Sequence, residues 1–210
     1  MRCVVDHIVY NCASLEHGVA FVERLTGVRA AYGGAHPNRG THNALLSFGD
    51  DSYLEIIAPD PDQPGITPQA FRLYDAQTHD KLSAFAVRPQ EGDIEEHRAA
   101  LGAGPVGDKQ RQKPDGTLLA WRMTPGPGAP GSTAGGAEPW IIDWGETEHP
   151  ATASPSGCAL VALEVADPRA ASLGPVLEEM GLTTPVELSV ADSPSIVAVI
   201  ETPKGTRVRL

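Results

Sequence analysis

The chain has little positive charge, few aromatic residues and no long apolar run, and each shortage excludes a class of protein. Its 16 Lys and Arg are outnumbered by 27 Asp and Glu, which gives a formal net charge of −11. Phosphate binding needs a basic face, so we expect no nucleic-acid partner. No apolar run approaches the roughly 18–20 residues of a membrane span, and the start MRCVVDHIVY lacks the features of a signal peptide. We therefore expect a cytoplasmic protein with no membrane partner.

Cysteine is also scarce, and no cysteine motif is present. Cys3, Cys12 and Cys158 form no CxxC pair, which favours a reducing compartment and a role as small buried hydrophobic residues. The sequence contains neither GxSxG nor HExxH, and no cysteine has a recognisable catalytic partner. Hydrolysis by a serine or cysteine nucleophile is therefore not supported.

What the chain does contain is one order of elements that recurs three times. A strand over residues 3–11 is followed by a helix that Ser14 can cap, and then by three strands that end in YLEIIAP. The glycines that close the three predicted helices, Gly27, Gly102 and Gly181, lie 75 and 79 residues apart. We predict an α+β fold of three β-α-β-β-β modules that form curved mixed sheets.

The modules suggest a division of the chain into two parts. Modules at about residues 1–60 and 80–146 are expected to form one domain over residues 1–150, and residues 157–210 a third module poor in ligand residues. The Gly/Pro/Ala segment over residues 124–139 is predicted to be either a flexible surface loop or a lid over a pocket.

Proline also constrains the third helix. Because proline is tolerated only in a first turn, Pro175 predicts a helix that begins late, near Ser172.

The first strand, CVVDHIVYN, carries an unexpected imidazole. Side chains alternate along a strand, so His7 is expected to share a face with Val5 and Val9, and Glu55 a face with Tyr53. If the two strands are neighbours in a curved sheet, His7 and Glu55 meet on its concave side. They could then bind Zn, Mn, Fe or Ni, hydrogen-bond each other, or leave Glu55 free as a general base.

Other residues could complete such a site. His42 lies two and four residues before Ala44 and Leu46, so it should share their face of the strand. We predict that this face is the concave one, where His42 would contact substrate at the rim or act in catalysis. His149 could fold back over the cup as a metal ligand. Tyr53, Trp140 and Trp144 are candidates for a substrate-binding wall, with core packing as the alternative. We assign no role to the remaining histidines, which are His17, His36, His79 and His97.

Three segments carry a family resemblance. DHIVYN, followed by GTHNALLSFGDDSYLEIIAPDP and later PWIIDWG, resembles the vicinal-oxygen-chelate superfamily, and within it the glyoxalase-like domain group. The resemblance implies that paired modules form a cup around one divalent ion (Zn, Mn, Ni or Fe), with His7 and Glu55 as ligands. The matching positions of the other modules depart from that pattern: they hold Leu82, Val161, Asp143 and Arg209.

This resemblance implies function as well as fold. It points to a metal-assisted lyase or isomerase of a small oxygen-chelating substrate. Because the second and third modules lack the usual ligands, a metal-free binding or sequestration protein is the alternative, and an extradiol-like dioxygenase is a weaker one. The spare sheet face of the third module could dock on a second copy and give a homodimer.

Overall fold

A computed structural model of the protein describes residues 1–73, 75–112, 116–129, 132 and 134–210, with the backbone alone at residue 112. About 20% of the chain is helix and 39% strand. The elements follow the predicted order three times. The first set is β1 (Cys3–Asn11), α1 (Leu15–Thr26), β2 (Ala31–His36), β3 (Thr41–Ser47) and β4 (Tyr53–Pro59). The second is β5 (Lys81–Pro89), α2 (Ile94–Leu101), β6 (Gly107–Gln112), β7 (Leu118–Met123) and β8 (Trp140–Asp143). The third is β9 (Ala159–Ala166), α3 (Ala170–Met180), β10 (Val186–Ser189), β11 (Ser195–Glu201) and β12 (Arg207–Arg209).

The helix ends confirm the signals in the sequence. The side chain of Ser14 accepts a hydrogen bond from the backbone N–H of His17 at the start of α1. Gly27, Gly102 and Gly181 close the three helices in the left-handed conformation, with φ of 79°, 69° and 59°. None of the helices in the described part of the chain is long and apolar enough to cross a membrane.

The first two sets of strands form one curved, nearly closed sheet of eight strands. Its order is β2-β3-β4-β1-β5-β8-β7-β6, so β1 pairs in parallel with β4 and antiparallel with β5. The two edge strands approach each other across the opening: Nη1 of Arg111 on β6 lies 3.5 Å from where a Cβ on Gly34 of β2 would stand. The concave face is therefore a cup enclosed by strands of both modules.

A β-bulge in β1 changes which residues face the cup. Val5 pairs with Val87 and His7 with Ala86, so Asp6 is the extra residue on β1. The side chain of Val5 belongs to the core on the convex side, whereas Val9 packs on the concave side. The prediction that His7 shares a face with both valines is therefore wrong for Val5, because the bulge shifts the alternation by one residue.

The third set of elements has the predicted order along the chain, but its strands are arranged in their sheet differently from those of the first module. The four strands run β10-β9-β11-β12, with β10 parallel to β9 and β11 antiparallel to it. In the first module, by contrast, the neighbour of β1 within the module is its last strand, β4. One face of this sheet, with Leu163, Val165 and Ile196, is buried in the core that also holds the convex face of the large sheet. That face is thus covered within the chain, and a dimer through this segment stays a prediction, as does the division into domains.

Pro175 lies inside α3, which begins at Ala170 and not near Ser172. The expected late start is therefore wrong. The proline is the sixth residue of an 11-residue helix, and the helix still presents Leu173, Leu177 and Met180 to the core. Burial of this apolar face compensates for the missing hydrogen bond.

Gly18 sets the distance between α1 and the large sheet. A Cβ at this position would lie 2.5 Å from Sγ of Cys12 and 2.8 Å from Cγ2 of Ile56. We expect Gly18→Ala to lower the free energy of unfolding by about 1–3 kcal/mol, measured by urea denaturation, because overpacking outweighs the better helix propensity of alanine. Gly174→Ala in α3 is the matched control, since its nearest neighbour would lie at an ordinary 3.8 Å. It should stabilise the protein by about 0.5–1 kcal/mol, and equal effects of the two changes would contradict this packing argument.

Candidate functional site

The cup contains a cavity of about 780 Å³. Its floor is formed by side chains of β1, β3, β4 and β8, and its sides by strands β6 and β7. The proline-rich connection after β4 lines it at residues 66–71, and the Gly/Pro/Ala segment lines it at residues 124–129. The second of these segments was predicted to be a surface loop or a lid, and its residues 124–129 lie against the cavity. A cavity of this size matches the sites that proteins use for small molecules.

Asp6 is the hub of the polar network beneath the cavity. It is fully buried, and its Oδ1 accepts a hydrogen bond from Nδ1 of His7 at 2.6 Å. Its Oδ2 accepts from Nε2 of His149 at 2.9 Å and from Nε of Arg88 and Nε1 of Trp144 at 3.1 Å each. Oδ2 thus accepts from three donors and Oδ1 from one, so both oxygens of the carboxylate are engaged. The bulge that turns Asp6 inward makes this cluster possible.

The ionised state of Asp6 fixes the tautomer of His7. Burial acts to raise the pKa of the Asp6 carboxyl, but hydrogen bonds from His149 and His7, together with their charges, hold that pKa well below its usual range. Because an ionised carboxylate can only accept, the proton of this hydrogen bond must lie on Nδ1 of His7. A neutral imidazole then presents an unprotonated Nε2 to the cavity, as in the carboxylate–histidine pairs that orient catalytic or metal-binding histidines.

His7 and Glu55 meet at the floor of the cavity. Both side chains are largely buried, and Nε2 of His7 lies 4.0 Å from Oε2 of Glu55. The imidazole is held between two rings: Tyr53 stacks on it with centroids 4.8 Å apart, and Trp140 meets it edge-on at 5.0 Å. In the tautomer fixed by Asp6, two hydrogen-bond acceptors face each other across this gap. The group that enters it must therefore be a donor or a cation.

The other oxygen of Glu55 is held by an amide. Nδ2 of Asn43 donates to Oε1 of Glu55 at 2.6 Å and lies 3.3 Å from Nε2 of His36. Nδ1 of His36 in turn lies 2.7 Å from Oγ1 of Thr41. Burial lowers the pKa of His36 to about 4, with smaller contributions from Arg111 and nearby cations and against the opposing effect of Glu55. A neutral His36 that donates from Nδ1 and accepts at Nε2 satisfies every one of these contacts.

The two halves of the cup differ in character. His7, Glu55, Asn43 and His36 all come from the first module, on β1 to β4. The concave positions of β5 and β8 are instead apolar and hold Ala84, Ala86, Trp140 and Ile142. Next to them stand Trp121 and Trp144, with ring centroids 5.4 Å apart. The cavity therefore has one polar wall and one aromatic wall.

The structure brings most of the sequence-predicted residues to the cavity but not all. His7, Glu55, Tyr53, Trp140 and Trp144 line it. His42 does not, because it pairs with Ala58 and its side chain lies on the convex side of the sheet. The residues of β3 that face the cup are those directly before and after it. The predicted orientation of His42 into the cup is therefore wrong, because Ala44 and Leu46, which share its face of the strand, pack on the convex side. Its role in catalysis or substrate contact stays a prediction, which this position does not support.

His149 also has a different position from the predicted one. Its Nε2 is bonded to Asp6, and its Nδ1 accepts from the backbone N–H of Ala151 at 3.3 Å. With both ring nitrogens used inside the protein, His149 cannot act as a metal ligand without breaking this network. We reassign it as a residue that positions Asp6.

The residues of these networks that were not singled out by the sequence include Asp6, Arg88, His36 and Asn43. Asn43 could have been found, since its parity matches that of Leu45, which pairs with Glu55. Asp6 is an evident polar residue in VVDHIV, but strict alternation of side chains along the strand would place it on the opposite face from His7. Nothing in the sequence signals the inward turn of His36 at the end of β2.

Comparison with known proteins identifies the family. The family model of the glyoxalase-like domain matches residues 5–181, well over half of the chain. The chain belongs to the glyoxalase-like domain family. The expected place in the vicinal-oxygen-chelate superfamily is thereby confirmed. The match crosses the expected boundary at residue 150 and ends at Gly181, so it takes in β9 and α3, while the division into domains stays a prediction.

Solved structures with a similar fold include methylmalonyl-CoA epimerases. A variant of the Streptomyces coelicolor enzyme in complex with 2-nitronate-propionyl-CoA has 18% identity, covers 70% of this chain and 97% of its own, and gives a TM-score of 0.44. The Mycobacterium tuberculosis enzyme has 14% identity, with 66% and 84% covered and a TM-score of 0.42. A hypothetical protein from Bacillus halodurans has 15% identity, with 68% and 93% covered and a TM-score of 0.42. A search of curated proteins finds no match. No argument about substrate rests on these likenesses.

The donors of this glyoxalase-like protein do not complete the metal site that the family resemblance implies. Nε2 of His7 and a carboxylate oxygen of Glu55 are suitable ligands for Zn, Mn, Ni or Fe. Within the described ranges, however, no three or more His, Cys, Asp or Glu side chains come together in an arrangement that could hold an ion. The facing wall offers Ala86 and Ile142, which carry no donor atoms in their side chains. We therefore derive no step through a metal.

The Asp6 network should dominate the stability of the cup. We expect Asp6→Asn to lower the free energy of unfolding by about 3–5 kcal/mol at pH 7, because it leaves buried donors without their anion. The folded-state pKa of Asp6 lies below the unfolded value of about 3.9, so the deficit should be full above pH ~4 and shrink as the pH falls further. Urea denaturation at several pH values measures it.

The matched control for this change is Asp51→Asn, which removes the exposed second partner of Arg88. It should cost no more than about 1 kcal/mol. A deficit in Asp6→Asn as small as that of the control would contradict the network.

His36 should make the protein less stable in mild acid. The unfolded chain binds a proton on this residue below about pH 6.5, whereas the folded protein does so only near pH 4. Stability should therefore fall as the pH drops from about 6.5 towards 4, and His36→Gln should remove about 1–3 kcal/mol of that loss. His17→Gln, at an exposed histidine, is the control. Parallel stability–pH curves for the wild type and His36→Gln would contradict this assignment.

Proposed function

We propose that the protein catalyses proton transfer on a small α-hydroxycarbonyl substrate, in an isomerase- or lyase-type reaction. The observation that carries the proposal is the pair of acceptors at the cavity floor, Nε2 of His7 and Oε2 of Glu55, 4.0 Å apart. A substrate that offers an acidic C–H beside a hydroxyl group supplies the two donors that this pair needs. Family membership is consistent with small-molecule chemistry of this kind.

Glu55 is the proposed base. Its Oε1 is held by the amide of Asn43, so Oε2 is the oxygen left to remove a proton from the substrate carbon. The surrounding apolar residues exclude water, which strengthens the interaction of this carboxylate with a developing charge. Nε2 of His7 takes the proton of the substrate hydroxyl group and gives it to the former carbonyl oxygen, while the proton received by Glu55 is returned to the neighbouring carbon of the same substrate, and the two transfers together complete an isomerisation.

His7 is the proposed partner for the substrate hydroxyl group. Asp6 keeps the proton on Nδ1, and the rings of Tyr53 and Trp140 fix the plane of the imidazole. Nε2 can therefore accept a hydrogen bond from the hydroxyl group in one orientation only. This arrangement brings the adjacent C–H towards Glu55.

Exchange of solvent deuterium tests the proposal without knowledge of the natural substrate. Wild-type protein in D₂O should accelerate deuterium incorporation at the α-carbon of at least one member of a panel of α-hydroxyketones and α-hydroxyaldehydes, detected by mass spectrometry. Glu55→Gln should slow this exchange by about 10²–10⁴-fold, the usual contribution of a general base.

Glu179→Gln, on the exposed side of α3, is the matched control and should exchange at the wild-type rate. Full activity in Glu55→Gln would contradict the role of this carboxylate. The assay is run with and without EDTA. Metal analysis of protein purified without chelator, and of His7→Ala and Glu55→Ala, shows whether the expected divalent ion binds at all.

Binding without catalysis is the second candidate function. It is favoured by the aromatic wall of the second module, where Ala84, Ala86, Trp140 and Ile142 carry no acid or base. A protein that binds members of the panel but exchanges none of them would support this sequestration function over the enzymatic one.

A further inference from the structure

Three cations line the cavity of this acidic protein. Arg39 lies between β2 and β3, and Lys109 and Arg111 lie on β6. Within the described part of the chain, none of the three forms an ion pair with a carboxylate. Eight other arginines do: Arg29, Arg72, Arg88, Arg98, Arg122, Arg169, Arg207 and Arg209. In a chain with a net charge of −11, unpaired cations at one cavity indicate a missing anion.

Arg111 is the most informative of the three. Its Nη1 is buried and has no hydrogen-bond partner, although a guanidinium group normally uses its donors when it is removed from water. The atom lies against Gly34, where the absence of a side chain leaves room beside the guanidinium group. A buried donor of this kind is costly unless something else binds it.

The charge of Arg111 also reaches the floor of the cavity. It contributes to the lowered pKa of His36 and opposes the raised pKa of Tyr53, both of which line the cavity. Among the described lining residues, Glu55 is the one carboxylate, and it is already engaged by Asn43. Among the described residues no carboxylate of the cavity is therefore left to pair with Arg111, which favours an anion supplied by a ligand.

The aromatic wall restricts the rest of the ligand. Trp121 and Trp144 are neighbours, and Phe71 lies 5.9 Å from Trp140, ring centroid to ring centroid. Such a surface favours a planar or extended apolar body, which it can contact over a large area. Pro37, Pro105, Pro125 and Pro127 line the cavity as well, and prolines have no backbone N–H with which to cradle a phosphate group.

We infer that Arg111, with Arg39 and Lys109 beside it, binds the anionic end of the substrate, and that the substrate class is an organic anion with a planar apolar body. A carboxylate suits the planar guanidinium group best, because the two can form parallel hydrogen bonds. The inference rests on the proposed function in that it names the substrate class of the same cavity. The Glu55–His7 end then receives the reacting carbon, and the Arg111 end holds the charge.

Two fluorescent probes with the same apolar body test this inference. 8-Anilinonaphthalene-1-sulfonate carries an anion, and N-phenyl-1-naphthylamine has the same ring system without it. The wild type should bind the sulfonate at least about tenfold more tightly, and Arg111→Gln should weaken sulfonate binding by about 10–100-fold. The same change should alter binding of the neutral amine by less than about twofold, and Arg111→Lys should keep part of the sulfonate affinity.

Arg29→Gln is the matched control, because Arg29 is exposed and pairs with Glu23 away from the cavity. It should bind both probes as the wild type does. Salt provides a second readout that needs no variant: raising NaCl from about 0.02 to 0.5 M should weaken binding of the sulfonate but not of the amine. This measurement decides the question even if Arg111→Gln does not fold.

Each contrary outcome overturns the inference. Equal binding of the two probes by the wild type, or no binding of the sulfonate, would show that the cavity does not select anions. An equal loss for both probes in Arg111→Gln would show that the side chain only shapes the cavity. Because Glu55→Gln should leave sulfonate binding unchanged or tighter, failure of the proposed proton transfer and failure of anion binding are distinguished.

Discussion

The cup depends on one buried carboxylate and the four hydrogen bonds that it accepts. Asp6 joins its own strand to Arg88 of β5 and to Trp144 and His149, which follow β8. A fully desolvated anion is unfavourable in isolation, and it persists here because both of its oxygens are hydrogen-bonded. The bulge in β1 is what turns this residue inward. The same bulge gives His7 its partner, so a local irregularity of one strand determines the orientation of the imidazole at the cavity floor.

The second constraint is the unequal chemistry of the two modules. The first module supplies the polar atoms of the floor, and the second supplies aromatic and aliphatic surface. A symmetric pair of modules would place ligands on both walls, whereas this protein concentrates its reactive groups on one. Charge at the opening, from Arg111 and its neighbours, adds a third chemically distinct region. A molecule that fits all three regions has a reactive carbon, an apolar body and an anionic group.

Much of the fold could be predicted from the sequence because its signals are local. The capping residue Ser14 and the glycines after each helix determine where helices begin and end, whatever the tertiary packing. The position of Glu55 inside YLEII was equally informative, since an acid within an apolar strand must face a partner. The sheet order of the third set of strands could not be predicted, because element order along the chain does not determine which strands pair.

The candidate site was less predictable for a related reason. Face assignments on a strand rest on strict alternation, and one extra residue reverses them, as Asp6 does for Val5 and His7. His42 was misplaced because the buried face of β3 was assigned from parity alone, without knowledge of which face the helices cover. His36 becomes part of the site through contacts with Asn43 and Thr41, which no spacing in the sequence reveals. These hydrogen bonds depend on the register of β2 against β3, in which His36 pairs with Thr41.

The measurement that tests the account most directly is the tautomeric state of His7, read from ¹⁵N NMR of the ring nitrogens in the native protein. Protonation at Nδ1 with a bare Nε2 is the state that Asp6 imposes, and His149 should show the opposite assignment, with its proton on Nε2. A proton on Nε2 of a neutral His7 would contradict the account. It would mean that Asp6 does not orient this imidazole and that the floor of the cavity does not present two acceptors.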